Sequence, residues 1–105
     1  MSTNSKMIDR GELPRRGRKQ HNFGGFAGCV QIRKNRQSGT RIGVYDSIAQ
    51  GIDGDYPWAC VCEEHHTCCC FDTLASAISH AVAPDWCEEC QKIIEQKNGG
   101  VSNES

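Results

Sequence analysis

A chain of 105 residues, 24% charged and 37% hydrophobic, holds one domain's worth of structure. Its core must be small enough to need a metal or disulfides for stability. No run approaches the roughly 18 apolar residues of a membrane span, and residues 1–20 lack the apolar stretch of an export signal, so the expected setting is a reducing cytoplasm. The net charge of −1 hides a split: residues 1–45 carry ten basic and two acidic side chains, whereas residues 46–105 carry two basic and eleven acidic ones. That is +8 against −9, the signature of a basic arm joined to an acidic module.

Residues 1–22 are polar and basic, with Gly11, Pro14 and Gly17 interrupting any helical pattern. They contain too little apolar surface to offset the entropy of ordering and are expected to form a disordered arm. Phe23 to Gly28 is glycine-rich and reads as a connector carrying two aromatics. Cys29 to Arg33 alternates apolar and polar residues as a short strand does, Lys34 to Gly39 reads as a turn, and Thr40 to Tyr45 places Ile42 and Val44 on one face of a second strand. The two strands make a hairpin.

After a Gly- and Asp-rich connection over residues 51–55, Trp58, Cys60 and Cys62 share one face of a third strand, and Thr67 to Phe71 reads as its return. Asp72 or Thr73 is placed to cap a helix whose Leu74, Ala77, Ile78 and Ala81 recur at helical spacing, with Pro84 ending it. Trp86 leads into Cys87-Glu88-Glu89-Cys90, a helical segment follows to Lys97, and Asn98-Gly99-Gly100 reads as its stop. The expected organisation is an arm over residues 1–22, a metal-binding domain over 23–97 and a disordered tail over 98–105.

Two ligand couples carry the chemistry. Cys62-x-x-His65 and Cys87-x-x-Cys90 each turn two ligands toward one point, and together they supply the four positions of a closed structural Zn²⁺ site. The C-x-x-H spacing favours His65 over His66. A four-ligand site leaves no open position for water or substrate, which argues for structure rather than catalysis. The run Cys68-Cys69-Cys70 could extend the site or act as redox thiols, but reads most simply as a hydrophobic strand that uses cysteine. Cys29 and Cys60 follow the same logic, and His21 and His80 are expected to be solvated.

Val61-Cys62-Glu63-Glu64-His65 after Trp58, then the Leu74 helix, then Trp86-Cys87-Glu88-Glu89-Cys90, resembles small zinc-binding proteins of bacteria and their mobile elements with a C-x-x-H…W-C-x-x-C pattern. The resemblance spans about residues 40–92. It departs from that pattern at His66, where glycine is usual, and in the Cys68–Cys70 run. It implies a metal and a fold, and no activity.

A superficial likeness to zinc deaminases, with Glu64 as proton shuttle, fails because Pro84 is two residues removed from Cys87 and too little chain follows Cys90 for the remaining sheet. No enzyme and no small-molecule substrate are expected. Arg15, Arg16, Arg18 and Lys19 on the arm, with Arg33, Lys34, Arg36 and Arg41 on the first hairpin, form a candidate clamp on nucleic-acid phosphates, and Phe23 and Phe26 could add base stacking. The alternatives are a protein-interaction or inhibitor module whose acidic lobe binds a basic protein, and a cysteine redox or metal-buffering protein. The expected fold is a small α+β module, zinc-stabilised β-hairpins plus C-terminal helices, in a treble-clef or zinc-ribbon-like arrangement.

Overall fold

The computed structural model describes residues 5–9, 11, 13, 25–83 and 85–102, with the side chains of the last helix described as far as Lys97. Five strands, β1 (Ser5–Ile8), β2 (Cys29–Lys34), β3 (Arg41–Asp46), β4 (Trp58–Cys62) and β5 (Thr67–Phe71), precede two helices, α1 (Leu74–Val82) and α2 (Glu88–Ser102). The strands form one antiparallel sheet in the order β1-β5-β4-β3-β2. This is a small α+β fold in which the two expected hairpins, β2–β3 and β4–β5, lie side by side.

Alternation along β3, β4 and β5 divides their side chains between two cores. Ile42, Val44, Cys60, Cys62, Cys69 and Phe71 face the helices and pack with Ala77, Ala81, Cys87 and Cys90. Tyr45, Ala59, Val61, Cys68 and Cys70 face the other way, where Ile8, Leu13 and Ile52 cover them. The three consecutive cysteines are therefore core residues of a strand buried on both faces.

The β2–β3 turn is built on Asn35, only 1% exposed. Its Oδ1 accepts from the amides of Gln37 and Ser38, while its Nδ2 donates to the Val82 carbonyl at the end of α1. Gly39 takes the left-handed conformation the turn requires, at φ +77°. Thr73 caps α1, its hydroxyl accepting from Ser76 N at 3.1 Å. Trp86 Nε1 donates to the His80 carbonyl at 3.2 Å, fixing the chain just ahead of Cys87.

Three expectations are corrected. Within the arm expected to be unordered over residues 1–22, Ser5–Ile8 instead pairs with β5, while residues 14–22 lie outside the described residues: edge pairing supplies backbone hydrogen bonds, Ile8 enters the second core and Lys6 bridges to Asp53 at 2.7 Å. The helix expected to stop at Asn98-Gly99-Gly100 continues through it to Ser102, since glycine costs a helix about 1 kcal/mol without forbidding it. His80, expected to be solvated, stacks on Phe71 with ring centroids 4.7 Å apart, and its Nδ1 lies 2.8 Å from the Ser76 carbonyl one turn back. Pro84, His21 and Phe23 lie outside the described residues. No described helix is long and apolar enough to cross a membrane.

Candidate metal centre

Cys62 ends β4 and His65 lies in the turn that joins it to β5. Cys87 stands at the start of α2, where its carbonyl accepts from Gln91 N at 3.0 Å, and Cys90 lies in the first turn of that helix. The Sγ atoms of the three cysteines and one ring nitrogen of His65 all lie within 4.8 Å of one another, a cluster that could hold a metal ion. Cys62 Sγ is 3.6 Å from Cys90 Sγ, and His65 Nδ1 is 3.1, 3.7 and 3.6 Å from the sulfurs of Cys62, Cys87 and Cys90. The three cysteines are fully buried and the imidazole partly so.

The sequence brings these four residues together through two knuckles of the same design. In each, the residue three positions after the leading cysteine directs its backbone N–H at that cysteine's sulfur: His65 toward Cys62, and Cys90 toward Cys87. The first knuckle closes with His66 N donating to the Cys62 carbonyl and with His66 itself at φ +55°, in the left-handed region. That conformation explains why glycine is the expected residue there. It also directs the chain so that His65, not His66, joins the three sulfurs.

Crowded sulfurs differentiate their protons. Hydrogen bonds from the Cys62 and Cys90 thiols, helped by the Thr67 hydroxyl and the Cys90 amide, hold the Cys87 thiol far below its ordinary value. Cys62 is pushed up by the same sharing with Cys87 and Cys90, and by burial. For Cys90, donation from Cys62 is outweighed by Cys87 and by burial, so its thiol also rises. A helix N-terminus at Cys87 favours the thiolate further. A divalent cation bound here would displace the protons these thiols share.

Two hydroxyls adjoin the sulfurs. Thr67 sits directly across the β4–β5 hairpin from Cys62, and its Oγ1 lies 2.9 Å from Cys87 Sγ. Thr40, just before β3 and 1% exposed, has a buried Oγ1 that makes no well-formed hydrogen bond among the described residues, yet it lies near enough to Cys90 for its hydroxyl to favour the thiolate there. A metal site fits these surroundings, since ligated thiolates are the acceptors that the buried Thr40 hydroxyl and the partly buried Thr67 hydroxyl can donate to. Neither threonine was singled out in the sequence. The signal for Thr67 was its position opposite Cys62 at the mouth of the hairpin.

A bracket holds the first knuckle from the second core. Glu63 accepts from the Tyr45 hydroxyl and, through its other oxygen, from Gly25 N at 2.9 Å, while Tyr45 Oη accepts from Phe26 N at 3.1 Å. Phe26 is half-buried, with the Arg41 guanidinium 5.2 Å above its ring. Arg41 therefore covers the ring expected to offer a stacking surface.

The other cysteines stand apart from the cluster. Cys60 donates to the Ala77 carbonyl at 2.9 Å, Cys68 and Cys70 face the second core, and Cys69 packs beneath the helices. Arg33, Lys34, Arg36 and Arg41 occupy the β2–β3 hairpin; the last three are exposed and Arg33 partly so. Arg33, Lys34 and Arg36 line one cleft with Ile32, Gln37 and Val82. Arg15, Arg16, Arg18 and Lys19 lie outside the described residues. The chain matches no protein-family model, curated protein or solved structure.

Proposed function

We propose that this chain is a non-enzymatic, zinc-stabilised binding module that contacts nucleic acid through its basic N-terminal half. The observation that carries the metal part is the clustering of Cys62, His65, Cys87 and Cys90, whose ligand atoms all lie within 4.8 Å of one another. Zinc at about 2.3 Å from sulfur and 2.0–2.1 Å from nitrogen implies tetrahedral edges of about 3.8 Å between sulfurs and 3.6 Å between sulfur and nitrogen. The Cys62–Cys90 sulfur edge of 3.6 Å and the three nitrogen–sulfur edges of 3.1–3.7 Å lie near those values. A knuckle at a hairpin tip with two further ligands from the start of a helix supports a treble-clef-like site. Four protein ligands leave zinc no vacancy for a reacting water, which supports a structural role.

The nucleic-acid part rests on Arg33, Lys34, Arg36 and Arg41, which project from one hairpin without an acidic partner among the described residues. Ile32 and Val82 form the apolar part of the cleft beside the first three. Polyanion backbones are neutralised by such clusters, with counterion release making the affinity fall steeply with salt. The test is fluorescence anisotropy of the zinc-loaded full chain with labelled single- and double-stranded DNA and RNA across a salt series. Removing Lys34 and Arg36 together should weaken binding on every sequence and reduce the salt slope by about 2. Absence of binding at low salt would refute the reading.

One observation favours a second reading, a protein-interaction module. Met7, half-exposed on the edge strand β1, shares a cleft with Asp9, Glu88 and Glu89, a surface suited to a basic partner carrying an apolar side chain. Such binding would survive the loss of Lys34 and Arg36.

A further inference from the structure

We propose that Thr67 and Thr40 form an outer hydrogen-bonding sphere for the metal centre, each hydroxyl donating to one ligand thiolate: Thr67 to Cys87 and Thr40 to Cys90. The inference rests on the metal reading above and deepens it. Three thiolates and a neutral imidazole around a divalent ion leave one net negative charge inside a protein core. Buried charge of that kind is costly unless hydrogen bonds spread it. Backbone amides of the two knuckles supply part of that donation, to Cys62 and Cys87.

The two threonines supply donors from elements that hold no ligand to those sulfurs. Thr67 opens β5 and reaches Cys87 at 2.9 Å, across from the start of α2. Thr40 ends the β2–β3 turn, where its carbonyl accepts from Asn35 N at 3.0 Å and its amide donates to Ser38 Oγ at 3.3 Å. Its hydroxyl, which the turn does not use, is buried without a well-formed hydrogen bond and neighbours Cys90. A thiol is a weak acceptor and a thiolate a strong one, so this hydroxyl gains its partner when Cys90 is ligated. Valine at either position keeps the shape and removes the donor; serine keeps the donor.

The inference assigns Thr67 and Thr40 as positioning residues that raise metal affinity and lower the energy of the sulfur lone pairs. Outer-sphere partners of metal ligands are typically worth 10–100-fold in affinity.

The test uses the full chain loaded with Co²⁺, whose absorption reports tetrahedral thiolate ligation. Thr67→Val and Thr40→Val should each bind Co²⁺ and Zn²⁺ about 10–100-fold more weakly in competition with a chelator. Each should also shift the sulfur-to-cobalt charge-transfer band to lower energy. Thr67→Ser and Thr40→Ser should restore both properties. Thr67→Ala and Thr40→Ala, which remove the hydroxyl without filling its space, carry the same expectation should valine impair folding.

A tetrahedral spectrum in the parent protein, with affinity and band energy unchanged in the valine and alanine variants, would overturn the outer-sphere assignment and leave the metal reading standing. Equal loss in the serine and valine variants would also overturn it, since packing rather than donation would then be responsible. A parent protein that gives no tetrahedral cobalt spectrum would remove the metal reading and this inference with it.

Discussion

Substituting Gly43 with alanine should destabilise the protein by about 2–3 kcal/mol, although the strand backbone at this position accepts any residue. A Cβ built there would lie 2.8 Å from Tyr45 Cε1, 3.1 Å from Tyr45 Oη and 3.2 Å from Phe26 Cδ1. Ordinary carbon contacts are about 3.5–4.0 Å, so the tyrosine ring would have to move by roughly 1 Å. It has little room to do so, because Tyr45 is fully buried and its hydroxyl is held between Glu63 and Phe26 N. Overpacking costs about 1–3 kcal/mol, and weakening a hydrogen bond to a carboxylate up to about 1.5–3. Reduced freedom of the unfolded chain returns about 0.4–1 kcal/mol.

Urea unfolding of the metal-loaded protein measures the difference. A double-mutant cycle identifies its source: in a Tyr45→Ala background only the Phe26 contact remains, its ring no longer held by the tyrosine hydroxyl, and Gly43→Ala should cost less than about 1 kcal/mol. An equal cost in both backgrounds, or a Gly43→Ala protein as stable as its parent, would refute the contact argument. Because Glu63 follows Cys62 in the first knuckle, the single variant should also hold its metal less tightly.

Chelation should unfold the domain cooperatively, and Cys87→Ser should do so without chelator; retention of native chemical-shift dispersion in a metal-free sample would sink the structural role of the site. A separate outcome concerns alkaline pH. Burial, then the hydrogen bond and charge of Glu63, push the Tyr45 phenol far above its ordinary value. A raised folded value means that this stabilisation is fully present below about pH 10, the unfolded value, and is lost as pH climbs toward the folded one. Tyrosinate absorbance assigned to Tyr45 by comparison with Tyr45→Phe should therefore stay absent until the protein unfolds, and reversible ionisation near pH 10 in the folded state would contradict it.

Much of the sheet was legible because β3 and β4 must present one apolar face to the helices, and period-two patterning records that demand directly. Ile42 with Val44, and Trp58 with Cys60 and Cys62, fall on the expected face. The four clustered ligands were legible for a similar reason, since two-residue gaps are what a knuckle needs to aim two side chains at one point. By contrast β1 places only Ile8 in the core, and a four-residue edge strand with one buried side chain has no periodicity to read. The stack of His80 on Phe71 and the cover of Arg41 over Phe26 depend on residues distant in sequence. Thr40 and Thr67 were hidden for another reason: each looks like an ordinary polar residue at a strand end until the sulfurs it neighbours are placed.

The metal centre lies where it can govern more than its own ligands. Cys62, Cys87 and Cys90 belong to the helix-side core, and among the contacts of α2 with the rest are its ligand-bearing first turn and Lys97 Nζ, which donates to the Gln37 carbonyl at 2.8 Å. Without a shared ion, a chain segment of polar helix would have few contacts to repay its ordering. Losing that segment would withdraw Cys87 and Cys90 from the helix-side core and uncover Cys62. The strands of that core, β3, β4 and β5, also carry Tyr45, Val61, Cys68 and Cys70 into the opposite core. Neither core can therefore loosen without disturbing strands that the other depends on. A fold arranged in this way converts local ligation into global order, which is why a gradual, segment-by-segment response to chelation would count against it.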